Sequence, residues 1–192
     1  MTIPGSSLPD VITSDRLRLP LWTPAEAADI LAGRHREGWH RDYPRRDDRD
    51  AATMYRAGDP WAPRHVVRGS TALGSIGFFG PPEAAADGVP EAEVGYGLVD
   101  EAHGWGFATE ALRAVLAETD RAGVRVRASV EPGNRASIRV LAKCGFTELR
   151  GSDEDGNLVM ARPLPTGAAD GGADGGADGG ADGGANGGVD GG

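Results

Sequence analysis

The fold is decided by Ala92-Glu93-Val94-Gly95-Tyr96-Gly97-Leu98-Val99 together with His103-Gly104-Trp105-Gly106-Phe107-Ala108-Thr109 and Glu110-Ala111-Leu112. Along 92–99, Ala92, Val94, Tyr96 and Leu98 alternate with Glu93, Gly95, Gly97 and Val99, the period of a half-buried strand. Downstream, Ala108, Ala111, Leu112, Val115, Leu116 and Thr119 fall on one face of a helix that stops at Gly123. A glycine-rich turn joins the two. Free N–H groups at a helix N-terminus attract anions, and glycines let the backbone come close to a phosphate. The same turn also reads as a tight strand-to-helix connection without a ligand. A dinucleotide fingerprint needs glycine where Thr109 stands, and a P-loop needs a lysine that the turn lacks.

Working outward, Arg16 to Leu21 alternates as a strand, and Thr23-Pro24 supplies an N-cap and a first-turn proline. The helix that follows has Ala27, Ala28, Ile30 and Leu31 as apolar positions and ends near Gly33. Residues 34–61 are arginine-rich and less regular, with a second short helix expected over Asp48 to Ala57. His65 to Val67 and Ser75 to Phe79 read as strands, and 81–90 as a loop. After Gly123, Val124 to Val130 alternates as a strand. Asn134 then opens a helix with Ile138, Leu141 and Ala142 inward, and Leu158 to Arg162 is the last strand. This order predicts one mixed sheet with helices packed on it.

Composition divides the chain. Of 192 residues with net charge −9, the segment 166–192 is a repeat of Ala-Asp-Gly-Gly type whose five aspartates leave −4 for the rest. Such a tail buries too little to offset its ordering entropy, so disorder is expected there. Residues 1–11 are expected to be a flexible lead-in, and 12–165 a single domain. The acidic balance argues against nucleic acid as a partner, and no apolar run reaches the ~20 residues of a membrane helix. Cys144 is the sole cysteine, which fits a cytoplasmic protein. His35, His40, His65 and His103 show no metal-ligand spacing, so no metal is expected.

The turn His103-Gly104-Trp105-Gly106-Phe107-Ala108 resembles the acyl-CoA pyrophosphate loop of the GNAT superfamily, Q/R-x-x-G-x-G/A, with His103 in the place of Gln or Arg. Further blocks similar to that family stand in its order: Ile12 to Leu19, Ala92 to Tyr96, Ala108 to Leu112, Asn134 to Ser137 and Lys143 to Phe146. The branch they resemble most is that of the ribosomal-protein N-terminal acetyltransferases. The resemblance implies an α/β (α+β) fold. Its central sheet is mixed, mostly antiparallel and splayed, with about six or seven strands and about four flanking helices. It implies transfer of an acetyl group from acetyl-CoA to a primary amine, in a protein N-terminus or a small molecule, by direct attack in a ternary complex. The alternative is a GNAT-fold module that binds acyl-CoA with lost or regulatory activity.

The resemblance also implies roles. The backbone near Leu98 and Val99 holds the pantetheine and polarises the thioester. His103, Gly104, Trp105, Gly106, Phe107, Ala108 and Thr109 form the phosphate loop. Asn134 bonds the pantetheine amide or simply caps its helix. Glu93 matches the base that takes the amine proton, beside a groove left by Gly95 and Gly97. The leaving thiolate meets a Tyr of the late helix in many members. Leu141 stands there, and Ser137 matches the donor of the ribosomal branch. Six acids between Glu83 and Glu101, with no Lys or Arg among them, are expected to attract a cationic amine and raise one another's pKa. Trp39, His40, Tyr43 and Arg45 form either a wall of the amine pocket or a packed loop. Arg135, Arg139 and Lys143 make a stripe that meets a phosphate or only solvent. Cys144 is expected to be buried.

Overall fold

The computed structural model describes residues 7–165; residues 1–6 and the repeat tail from 166 lie outside the described residues. In chain order the strands are β1 (Val11–Thr13), β2 (Arg18–Pro20), β3 (Arg64–Arg68), β4 (Thr71–Phe78), β5 (Glu83–Ala84), β6 (Pro90–Leu98), β7 (Arg125–Val130), β8 (Glu148–Ser152) and β9 (Leu158–Arg162). The helices are α1 (Pro24–Leu31), α2 (Arg46–Ala52), α3 (Phe107–Arg121) and α4 (Arg135–Lys143), with a 3₁₀ turn at Asp100–Ala102. The sheet runs β1-β2-β3-β4-β6-β7-β9-β8, with β5 paired to β6. Every pairing is antiparallel except that of β6 with β7. This is the mixed, mostly antiparallel sheet with four helices that the sequence implied, extended by two short strands.

The differences are local. Leu8 is buried and Val11 already belongs to a strand, so the ordered part starts upstream of residue 12. The segment read as one strand from Arg16 holds a turn closed by Ser14 N–H to Leu17 O, and β2 is confined to three residues. Thr23 and Glu26 form a full capping box with Pro24 in the first turn of α1. That helix is only eight residues long and buries Ala27 and Ile30, leaving Ala28 and Leu31 exposed. α2 starts two residues earlier than expected and ends at Ala52. In α4 Leu141 is buried and Ile138 packs against the core, but Ala142 is exposed.

α3 carries the clearest amphipathic stripe: Phe107, Ala111, Leu112, Val115, Leu116 and Thr119 are buried. Its first turn is tied to the β1–β2 turn. Glu110 accepts from Ser14 Oγ at 2.7 Å and from Arg16 N and Nε at 2.8 and 2.6 Å. Partial burial works against that carboxylate, but the bonds from Ser14 and Arg16 hold its pKa below the ordinary range. A carboxylate in a first turn also suits the positive end of the helix dipole.

The strand β6 has two halves with different partners. Its first half pairs with β7 in parallel, through Glu91↔Arg125, Ala92↔Val126 and Glu93↔Arg127. Its second half pairs with β4, from Phe78↔Val94 to Gly74↔Leu98. Phe79 N donates to Glu93 O at 3.0 Å and Val99 N to Leu73 O at 2.8 Å, so the backbone of odd-numbered residues is turned toward β4. The even-numbered residues are turned the other way. Beyond Glu93 there is no register with β7, so the backbone of Tyr96 and Leu98 faces a gap between two diverging strands.

Candidate active site

A cavity of about 1040 Å³ opens at this divergence. Its walls are α2 with the loop that follows, the β4–β6 surface, the end of β7 and the first turn of α4. Gly95 and Gly97 line it, as do Ala128 to Glu131, Asn134, Ser137 and Leu141. The expected groove over the two β6 glycines is filled by other side chains, Phe79 over Gly95 and the Arg45 guanidinium over Gly97, which come from elements distant in sequence.

The expected residues divide. Asn134 and Ser137 line the cavity. Asn134 is the N-cap of α4, its Oδ1 accepting from Ser137 N at 3.0 Å. Glu93 does not line the cavity; its carboxylate pairs with Arg127 at 2.9 Å, the residue opposite it in register. Leu98 and Val99 have buried side chains and are not among the lining residues either. The Leu98 carbonyl already accepts from His103 Nε2 at 3.0 Å and from Arg45 Nη1 at 3.1 Å.

The loop 103–109 lies outside this cavity. Trp105 and Phe107 border a second hollow of about 650 Å³, with Arg68, His40 and Glu101. Gly104 and Gly106 both take left-handed conformations, at φ +79° and +80°, which glycine adopts without a steric penalty. Gly106 is the N-cap of α3, and no side chain caps that end. Among the described residues, the N–H groups of Gly104, Trp105 and Gly106 donate no hydrogen bond. A set of free amides at the positive end of a long helix is suited to an anion. Arg16 and Arg68 flank it, their guanidinium groups 4.7 and 5.1 Å from the Phe107 ring centre.

The acids of 83–101 do not form an unopposed negative field, which corrects the expectation of mutually raised pKa values. Arg125 binds Asp87 at 2.6 Å and Glu91 at 2.5 Å, and Arg150 reaches Glu91 at 2.7 Å. Bonds from Arg125 and from the Val89 amide bring Asp87 down to about 2. Glu91 is also lowered: burial opposes this, but Arg125 and Arg150 outweigh it. Glu101 is lowered by its bond from His40 at 2.9 Å and by Arg41. The cations come from strands and loops distant in sequence, so no local window revealed them. The acids that do border the cavity are Asp47, Asp48, Asp50, Asp59 and Glu131, facing Arg45 and Arg56.

Of the proposed pocket wall, only Arg45 lines the cavity. Trp39 and Tyr43 are buried with Trp22 and His65 in an aromatic cluster, where Tyr43 Oη lies 2.9 Å from His65 Nδ1. Burial raises the Tyr43 phenol well above its ordinary pKa and lowers His65. Arg45 is fixed from below by Asp48, whose side chain is wholly buried. Nε donates to Oδ2 at 3.1 Å, while Ser75 Oγ bonds Oδ1. Asp48 and Ser75 carried no sequence signal for this role.

Tyr96 is a second residue that sequence reading left unassigned. Its hydroxyl crosses the gap to donate to Ser137 O at 3.3 Å, and burial raises its pKa to about 12. Cys144 is buried as expected and its thiol pKa is raised for the same reason. Arg135, Arg139 and Lys143 lie on the exposed face of α4. His40, Asp42 and Glu101 come together with ligand atoms within 4.8 Å, a grouping that no spacing in sequence indicated. Arg41 already engages that glutamate. No helix among the described residues is long and apolar enough to cross a membrane.

Comparison with known proteins places this geometry. The family model described as an acetyltransferase (GNAT) domain matches residues 16–147. No curated protein matches the chain in sequence. Among solved structures, a GNAT-family acetyltransferase from Bordetella pertussis is 24% identical with a TM-score of 0.57, covering 81% of this chain and 100% of its own. Ribosomal-protein-S5-alanine acetyltransferase from Vibrio fischeri is 17% identical with a TM-score of 0.56, over 81% and 97%. The microcin C7 self-immunity acetyltransferase MccE, solved with acetyl-CoA and AMP, is 16% identical with a TM-score of 0.56, over 82% and 98%. These likenesses show a shared fold, and the family model spans the strands and helices that build the gap, so the chain belongs to the GNAT family of acetyltransferases.

Proposed function

We propose that the protein transfers the acetyl group of acetyl-CoA directly to a primary amine, held with it in a ternary complex. The observation that carries this reading is the parting of β6 from β7 after Glu93, which leaves an open backbone edge inside a cavity wide enough for two reactants. An acyl thioester carried on a diphosphate suits the residues present. The β6 edge at Tyr96 and Leu98 takes the pantetheine, with Asn134 across the gap, while Val99 keeps its N–H on Leu73 and anchors that edge to β4. The loop of His103, Gly104, Trp105, Gly106, Phe107, Ala108 and Thr109 takes the phosphates.

The nucleophile must be a neutral amine, because an ammonium has no lone pair. Glu93 lies two residues before Gly95, ~7 Å along the strand, with its carboxylate on Arg127. In this reading it accepts the amine proton through water. Ser137 borders the place where the thiolate is released and supplies a hydrogen bond. The acids around the cavity draw in a cationic amine before it loses its proton. Either a protein N-terminus or a small amine meets these demands. A free buried cysteine suits the reducing cytoplasm in which the reading places the protein.

The test is incubation of the full chain with labelled acetyl-CoA and a panel of acceptors, read by thiol release and mass spectrometry. The panel holds peptides beginning with serine or alanine, free amino acids, and spermidine. An acetylated amine formed with stoichiometric thiol supports the reading. Tight acetyl-CoA binding without transfer to any acceptor or lysate protein would favour an acyl-CoA-binding module instead.

A further inference from the structure

Two side chains floor the cavity on the β6 face that carries Gly95 and Gly97. Phe79 lies over Gly95 and the Arg45 guanidinium over Gly97. The two glycines stand ~7 Å apart along the strand, so an aromatic ring and a cation sit side by side on one cavity wall. A guanidinium has five N–H donors. In Arg45, Nε donates to Asp48 Oδ2 at 3.1 Å, Nη2 to Asp48 Oδ1 at 3.4 Å and Nη1 to Leu98 O at 3.1 Å. One N–H on each terminal nitrogen has no partner among the described residues. The side chain is 25% exposed, so a ligand in the cavity reaches it.

Resting on the acetyl-transfer reading, we propose that the acceptor is a free α-amino acid with an apolar side chain, its carboxylate held by the two unpartnered N–H groups of Arg45 and its side chain laid against Phe79. Donors on a charged group favour a carboxylate oxygen over a neutral carbonyl. Asp48, wholly buried and bonded by Ser75, already holds the guanidinium, so binding orders the side chain little further. Nη1 stands on Leu98 O, at the open edge where the thioester lies in this reading. A nitrogen on the carbon next to the carboxylate is thereby carried to that edge. It forms the C–N bond as the C–S electron pair goes to sulfur. The nitrogen gives one proton to the base and the sulfur takes one from solvent, so the products are an N-acetyl amino acid and a thiol.

Two features of the cavity support the assignment. Phe79 and Met54 are large exposed hydrophobic residues, and both line it. They offer apolar surface to a side chain beside the reacting nitrogen. The acids Asp47, Asp50 and Glu131 are exposed around the same cavity, where salt screens them. They act on the ammonium end of a zwitterion as it approaches, while the less exposed Arg45 meets its carboxylate. A polyamine has no group for Arg45, and a peptide N-terminus offers it only a neutral carbonyl.

The test measures kcat/KM of the wild type for leucine, methionine and phenylalanine, each against its carboxamide and against the amine of the same side chain without a carboxyl group. The amine of a carboxamide is less basic and more often neutral at pH 7, so without a carboxylate contact the amide would be the faster acceptor. Each amino acid is expected to exceed both analogues at least ~10-fold. Arg45→Lys should bring the ratio of amino acid to amide close to one or below it. The ratio is taken within one protein, so a smaller folded fraction cancels. Phe79→Ala should raise KM for the three amino acids and leave that for glycine unchanged. A wild type that prefers the amides, the amines or the serine and alanine peptides overturns the proposal while leaving acetyl transfer intact. So does an unchanged ratio in Arg45→Lys, and an unchanged KM in Phe79→Ala overturns the contact with the apolar side chain. Absence of transfer by the wild type to any acceptor overturns the underlying reading instead.

Discussion

Arg45 lies so close over Gly97 that a β-carbon at residue 97 would overlap its guanidinium group. The guanidinium is the far end of a long side chain, but it is not free to step aside. Asp48 holds it from beneath and the Leu98 carbonyl from the side. Gly97 and Arg45 therefore form one unit where β6 leaves β7.

Gly97→Ala should cost about 1–3 kcal/mol of stability by overpacking. Arg45→Ala removes the guanidinium from a buried carboxylate that keeps the residue-45 backbone N–H and the Ser75 hydroxyl as partners, and should cost about 1.5–3 kcal/mol. The double variant should cost less than the sum by at least ~1 kcal/mol, because the overlap is gone once the arginine is gone. Urea unfolding of the four proteins measures this. Strict additivity would show that the two groups do not meet in solution.

Glu93→Gln keeps the shape of the side chain and removes its capacity to take a proton. Turnover at neutral pH should fall by ~10²-fold or more if Glu93 is the base. KM for acetyl-CoA should change little. A kcat equal to that of the wild type would sink the role and leave the carboxylate as the partner of Arg127 alone.

Gly106 caps α3 at φ +80°. Gly106→Ala places a β-carbon in the left-handed region, at a cost of roughly 1–2 kcal/mol. Relief of that strain would turn the adjacent N–H groups away from an incoming phosphate. Calorimetric titration with acetyl-CoA should show weaker binding, and a smaller loss with a phosphate-free acetyl-pantetheine. Equal losses for the two ligands would remove the phosphate role from the loop.

Asp87 is held at about 2, below its ordinary 3.8, by Arg125 and the Val89 amide. A carboxylate lowered in the folded state contributes stability above its unfolded pKa and loses it as pH falls through the folded value. Tm should therefore decline between about pH 4 and pH 2. Asp87→Asn should flatten that part of the curve. A slope identical to wild type in this window would show that the Arg125 clasp is open in solution.

His65 behaves differently, since burial lowers its pKa despite the nearby Glu26 carboxylate. Below about pH 6.5 the unfolded chain takes up a proton that the folded chain resists. Stability should fall as pH drops from there toward the folded pKa. His65→Gln should lose this segment of the Tm profile and keep the segment due to Asp87.

The parts of the fold that were legible in sequence are those specified within a few residues. Thr23, Pro24 and Glu26 announce the start of α1, and Asn134 that of α4, because a cap acts on N–H groups two or three residues away. The alternation of 92–99 and the stripe of α3 were read correctly for the same reason. Short, weakly patterned elements were not: β1 and β5 span three and two residues. Ala28 and Leu31 fit an apolar helix face and Ala142 is expected inward, yet all three are exposed.

The site was legible only where local conformation makes it. Gly95, Gly97, Gly104 and Gly106 declare themselves by their spacing, since missing side chains and left-handed turns are properties of single residues. The electrostatics were not legible, because each pair depends on register across strands. Arg125 and Arg127 face Glu91 and Glu93 only because β6 and β7 run parallel in one alignment. Arg45 meets Gly97 and Asp48 meets Ser75 only because α2 lies on that face of the sheet. The sequence by itself determined the strands, the helices and the glycine-rich turn, through forces that act over one or two turns of chain. Only the tertiary structure decided which carboxylates are neutralised, where Arg45 lies, and that the Tyr96 hydroxyl crosses the gap to Ser137, because those contacts join residues the chain keeps tens of positions apart.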